Sequence, residues 1–137
     1  MITLNRAAAD AARPLDVHGC TDITGFGLVG HAWELARASG LQVRIASADV
    51  PLLPFALEAA EAGHLTRGET KNRAYVGEAL HWAETVAGPL QSVLVDPQTS
   101  GGLLLALPSE QAATLEAQGV GVVIGSCRAG EPGVWVG

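Results

Sequence analysis

One stretch constrains this chain more than any other: His18-Gly19-Cys20-Thr21-Asp22-Ile23-Thr24-Gly25-Phe26-Gly27-Leu28-Val29-Gly30-His31. A carboxylate, hydroxyls and closely spaced glycines run directly into an apolar-periodic segment that begins at Leu28. Glycines let a backbone approach a ligand closely, and the unpaired N–H groups of a helix start favour anions. Asp22 beside such a turn repels a bare phosphate but suits one that arrives with Mg²⁺. Asp22 equally suits an Asx-turn or an early helix cap, and the residues alone leave both readings open.

The bulk composition narrows the setting. A chain of 137 residues fits one domain, and 48% hydrophobic against 16% charged residues places it among globular proteins. With three Trp, two Phe and one Tyr, the core has to be aliphatic and alanine-rich. The formal charge of −6 and the scattered positions of Arg6, Arg13, Arg37, Arg44, Arg67, Lys71, Arg73 and Arg128 argue against a nucleic-acid surface. They do not exclude an anionic substrate, because a local metal or glycine nest inverts the field. Cys20 and Cys127 lie far apart with no C-x-x-C pattern, so neither zinc nor a disulfide framework is expected. Without a basic-then-apolar leader or an apolar run of about 18 residues, the expected location is cytoplasmic, with no membrane partner.

Hydrophobic periodicity predicts a helix over 1–12 stopped by Pro14, and a helix after Gly27 that buries Leu28, Ala32, Leu35 and Ala36 and closes at Gly40. The alternation in 41–45 predicts a half-buried strand. Pro54 opens a helix to about Ala62, closed by Gly63; 64–71 reads as an exposed loop, and 72–84 as a weakly periodic helix. Further along, 92–95 reads as a strand and 98–102 as a tight polar turn. Residues 103–107 read as a buried strand, 109 onward as a helix ended by Gly119 with Ser109 as its N-cap, 120–124 as a buried strand and 134–136 as an edge strand. Strand, helix and strand between Leu103 and Ile124 would form a βαβ unit with parallel strands. The sum is an α/β (α+β) fold: a single layered domain over 1–137, with a mixed sheet covered by helices. A chain that opens on a helix is also expected to have begun inside a larger protein.

Few residues carry chemistry by pattern alone. Gly25, Gly27 and Gly30 match G-x-G-x-x-G by letter, but no hydrophobic strand is expected directly before them, as dinucleotide binding requires. A P-loop, a G-x-S-x-G elbow and an H-E-x-x-H helix are absent. His31 reads as a packed or helix-surface residue more readily than as a metal partner of His18. Cys20 reads as a small buried residue more readily than as a nucleophile. Asp96 suits either a second metal carboxylate or a turn, and Ser100-Gly101-Gly102 either an anion cradle or a tight link between strands.

These residues resemble one family, the selenide, water dikinases or selenophosphate synthetases. The resemblance lies in Cys20-Thr21-Asp22-Ile23-Thr24-Gly25-Phe26-Gly27-Leu28 with Gly30-His31, and in Asp96-Pro97-Gln98-Thr99-Ser100-Gly101-Gly102-Leu103-Leu104. Shorter matches at Leu4-Asn5, 50–53, Ala62-Gly63, Asn72-Arg73 and Ile124-Gly125 extend it over nearly the whole chain. The resemblance implies the C-terminal half of such an enzyme, with a fold like the C-terminal domain of aminoimidazole ribonucleotide synthetase. It implies an absent N-terminal half that carries the reactive Cys or selenocysteine, a Lys and most of the ATP- and metal-binding aspartates. It implies ATP and Mg²⁺ as substrate and cofactor, selenide as second substrate, selenophosphate, AMP and phosphate as products, and a homodimeric full enzyme. Asp22 would hold the metal and Thr24, Gly25 and Gly27 would line the nucleotide phosphates, with no catalytic residue in this chain. The isolated domain would then be inactive. The rival expectations are a domain of another ATP-dependent enzyme of the superfamily, of the hydrogenase maturation or purine synthetase type, and a stand-alone binding module without catalysis.

Overall fold

The computed structural model of the chain describes residues 4–137. Helix α1 (Arg6–Ala12) ends before Pro14, and residues 1–3 of the expected opening helix lie outside the described residues. Strand β1 (Gly19–Asp22) follows, then α2 (Gly27–Ser39), whose carboxyl end is closed by Gly40 in the left-handed conformation at φ 65°. Helix α2 buries Leu28, Val29, Ala32 and Ala36, while Leu35 is half-buried against the same core. Strand β2 (Leu41–Ile45) is as the alternation predicts, and α3 (Ala56–Glu61) is shorter than expected.

Four expectations between 64 and 107 are corrected. Only 64–66 are the expected exposed loop: Thr66 caps α4 (Arg67–Val76), its hydroxyl accepting from the Glu69 N–H at 3.3 Å. The helix expected over 72–84 ends at Val76, and strand β3 (Leu80–Trp82) occupies its second half. Residues 92–95 are not a strand but the last turn of α5 (Gly88–Val95), which has Pro in its first turn. A short apolar run is ambiguous by periodicity alone, and here the upstream proline set the helix. Strand β4 (Leu103–Ala106) is half-buried and pairs antiparallel with β1, Asp22 facing Leu103 across the ladder, so no parallel βαβ unit forms.

The carboxyl end departs in a similar way. Helix α6 (Ser109–Ala117) is flanked by Pro108 at the N-cap position, not by Ser109. Residues 120–123 are exposed and form no strand; the strand that follows them is β5 (Gly125–Ala129), at one edge of its sheet. Strand β6 (Gly133–Val136) is interior, not an edge, lying between β3 and β2 with Val134 and Val136 fully buried.

The result is two sheets with α2 between them. A two-stranded antiparallel ribbon, β1–β4, carries the Asp22 stretch. A four-stranded mixed sheet runs β3-β6-β2-β5, with β2 antiparallel to β5 and parallel to β6. Helix α2 packs on β1, β2, β6, α4 and α5. The core is Val29, Ala32, Ala36, Val43, Ile45, Leu94, Val95, Val134 and Val136, aliphatic and alanine-containing as composition requires. Burying side chains of this kind contributes about 1.5–3 kcal/mol each for the larger ones. No helix among the described residues is long and apolar enough to cross a membrane.

Candidate functional site

The two long stretches singled out by sequence meet in space. The N–H of Gln98 donates to Thr24 O at 2.9 Å, Gly101 N–H to Ile23 O at 3.0 Å, and Ile23 N–H to Gly102 O at 2.9 Å. The 98–102 turn is therefore both the entry to β4 and a backbone zipper against the Asp22 stretch. A strand does precede the glycines, contrary to the sequence reading. It is antiparallel in a two-stranded ribbon, so the dinucleotide-binding βαβ arrangement is still not formed.

Asp22 is the last residue of β1 and its side chain is exposed. Alternation along the strand places Cys20 and Asp22 on the open face of the ribbon, and Thr21 on the face towards α2. Among the described residues nothing pairs with the Asp22 carboxylate: the Thr21 hydroxyl donates to the Asp22 carbonyl at 3.2 Å, not to its side chain. It makes neither an Asx-turn nor a helix cap, since α2 has no side-chain cap. Cys20 is exposed, a correction to the buried reading, because the ribbon has no layer over that face.

His31 holds the turn from inside. It is 8% exposed, and its Nε2 accepts from the Thr24 N–H at 3.0 Å with Thr24 Oγ1 at 3.1 Å. An Nε2 that accepts from a backbone N–H leaves the ring proton on Nδ1, which faces Thr21 Oγ1 at 3.5 Å. His18 lies at the surface, bonded to Asp16 at 3.0 Å. The structure thus keeps the two histidines apart, and no group of three His, Cys, Asp or Glu among the described residues can enclose a metal ion.

Gly27 is the other fixed point. Its φ is +68°, and a Cβ there would lie 2.7 Å from the carbonyl oxygens of Val95 and Asp96. Only glycine satisfies both the left-handed backbone and that approach. Gly25 differs: a Cβ would meet nothing within 4 Å, so the chain itself does not demand its small size.

Asp96 is not a free carboxylate. Its Oδ1 accepts from the Thr66 hydroxyl at 2.6 Å, tying the second stretch to the start of α4. Asn72, one and a half turns further along α4, is 5% exposed and donates to both Gly25 O and Val95 O at 2.9 Å. Sequence reasoning gave Thr66 and Asn72 no part in the site because Gly68 and the polar text hid where α4 begins. Thr66-Arg67-Gly68-Glu69 fits the capping-box pattern that would have found them. Gly68 has its own cause, since a Cβ there would meet Pro97 Cγ at 2.2 Å.

Beyond Asn72, α4 is anchored by Glu69, buried and paired with Arg73 at 2.7 Å and with Ser92 Oγ at 3.3 Å. Phe26, 44% exposed, stacks on Tyr75 with ring centroids 4.9 Å apart. With Thr24, Gly25, His31, Lys71 and Asn72 they line a shallow pocket of about 500 Å³. Tyr75 also donates to Glu34, an acceptor for Arg37, and this holds the Glu34 carboxyl below the usual carboxylate range and the Tyr75 phenol above its own.

With the geometry described, the likeness to known proteins is specific. A model of the family described as AIR synthase related protein, C-terminal domain, matches residues 1–136. The chain belongs to that family. It is 43% identical over 112 residues to a selenide, water dikinase of Clostridium botulinum (strain Eklund 17B / Type B), covering 82% of this chain and 32% of that protein. It is 40% identical over 140 residues to the selenide, water dikinase of Pseudomonas straminea, covering 98% of this chain and 39% of that one. The chain thus spans between 32% and 39% of these relatives' length. A solved structure described as AaThiL complexed with AMPPCP and TMP superposes with a TM-score of 0.50 at 24% identity, over 88% of this chain and 30% of that one. That likeness concerns the fold, a mixed α/β domain as expected.

Proposed function

We propose that this chain, as a single domain over 1–137, forms the C-terminal part of a selenide, water dikinase. In this reading it completes a Mg–ATP site whose other half lies in an N-terminal ATP-binding domain of the same enzyme. The observation that carries the reading is the exposed, unpaired Asp22 carboxylate at the edge of two mutually zipped stretches, in a chain about 40% identical to such enzymes. The full enzyme phosphorylates selenide at the expense of ATP to give selenophosphate, AMP and phosphate. It works in the cytoplasm as a homodimer.

The donor set fits a shared magnesium site rather than a resident one. Mg²⁺ takes hard oxygen ligands, keeps several waters and is commonly held by one or two carboxylates plus substrate phosphates. One open carboxylate with no ion-pair partner among the described residues suits that role. When bound, Mg²⁺ neutralises the charge that phosphoryl transfer develops. Asp22 would hold it. Thr24 and the open-faced Gly25 would present backbone to the phosphates, and Gly27 would fix the turn that aims them.

The test is Asp22→Ala in the enzyme at the relatives' full length. Mg²⁺-dependent ATP turnover is expected to fall at least a hundredfold with the fold intact, and unchanged turnover and metal dependence would remove Asp22 from the site. The 137-residue chain alone is expected to form no selenophosphate; formation would contradict the half-site reading.

A further inference from the structure

We propose that Asn72 is a positioning residue: it clasps the Thr24–Gly27 turn to the Val95–Pro97 segment and thereby holds Asp22 where the metal-bound nucleotide needs it. The inference deepens the Mg–ATP reading above and rests on it. The Asn72 amide is buried, and its Nδ2 is bonded to two carbonyls of separate stretches, Gly25 O and Val95 O, each at 2.9 Å. A side-chain amide has two N–H donors, and both are engaged here. Aspartate has the same shape but no donor when ionised, serine has one, and glutamine places its donors a methylene further out.

The remaining ties show why this one matters. The Thr24–Gly27 turn is held by His31 through the Thr24 N–H, and by the Gln98 N–H on Thr24 O. Both partners belong to the stretches themselves. Asn72 alone of these three comes from a third element, and α4 reaches the same place at two further points. Thr66 bonds Asp96, and Gly68 lies against Pro97 closely enough that a Cβ would meet the ring. Helix α4 is thus a splint along the second stretch, and Asn72 is where the splint crosses to the first. A metal ligand displaced by about 1 Å loses function, and the Thr24–Gly27 turn follows Asp22-Ile23 directly, so the clasp acts on the site without touching it.

Two measurements test the proposal. In the 137-residue chain, Asn72→Ala is expected to accelerate hydrogen exchange of the Gly27 and Gln98 amides, both bonded to Thr24 O, by about ten- to a hundredfold relative to amides of β2 and β6. Glu69→Gln serves as the comparator, since it loosens α4 at a different anchor. Asn72→Ser, which keeps one donor, replaces the alanine variant if that one fails to fold.

In the full-length enzyme, Asn72→Ala is expected to raise KM for Mg–ATP about tenfold, and Asn72→Gln to recover part of it. Exchange that rises uniformly, as in Glu69→Gln, would overturn the clasp. A KM unchanged in Asn72→Ala but raised in Asp22→Ala would overturn the positioning role while the Mg–ATP reading stands. A KM unchanged in both would remove the two together.

Discussion

His31 shows how one side chain sets a site without facing it. Its Nε2 takes the Thr24 N–H, a donor that no helix or strand satisfies, and the ring is buried in doing so. Replacing it with alanine leaves that N–H unpaired beside a cavity, and is expected to cost about 1–3 kcal/mol in urea unfolding. A glutamine, which restores an acceptor at similar reach, is expected to recover part of the loss. Gly27→Ala is expected to be worse for a different reason. The left-handed φ and the two carbonyls at 2.7 Å both oppose a Cβ, so a loss of about 2 kcal/mol or more is expected by the same measurement. The importance of the glycine was legible in the sequence. What it touches was not, because the Val95 and Asp96 carbonyls lie far along the chain.

Among the elements, α4 and α5 were the hardest to read. Ser92-Val93-Leu94-Val95 looks like a strand because β-branched and apolar residues suit strands. It folds as a helix because Ser92, Leu94 and Val95 are buried in a helix-packed layer where α5 meets α2 and α4. Helix α4 is polar along most of its length, and what holds it is capping, the Glu69–Arg73 pair and the Asn72 bonds rather than an apolar stripe. Thr66→Ala removes the cap and the partner of Asp96 in one step. A loss of about 1–2 kcal/mol is expected from thermal or denaturant unfolding, with Thr66→Ser close to the parent. Residues 120–124 were misread for the opposite reason. The apolar text of 120–123 is exposed, whereas β5, an edge strand of the sheet, carries almost no apolar signal.

At the scale of the molecule, α2 is the element through which the ribbon and the four-stranded sheet are joined, and Tyr75 links α4 to it through Glu34. The link has a pH window. The Glu34 carboxyl is lowered, first by the Tyr75 hydrogen bond and then by Arg37, so its contribution is present above the ordinary carboxylate range and lost as pH falls through the folded value. The Tyr75 phenol is raised by the same bond, so its contribution is present below the ordinary phenol value and lost as pH rises through the folded one. Tyr75 is the single tyrosine of the chain, so alkaline ultraviolet titration reports it alone. The midpoint is expected above the ordinary value of about 10, returning towards it in Glu34→Gln. A midpoint insensitive to that substitution would show that the bond does not persist in solution.

Local information in the sequence was enough for the class of fold, the aliphatic core, α2 with its left-handed Gly40, and β2. Periodicity and turn chemistry act between near neighbours, and each of these features rests on them. The tertiary structure decided which strands pair, that β6 is interior, that the two long stretches are zipped together, and that Asn72 and Thr66 bind them from a third element. Those outcomes depend on backbone carbonyls and N–H groups meeting across long separations in the chain, where residue type leaves no periodic trace.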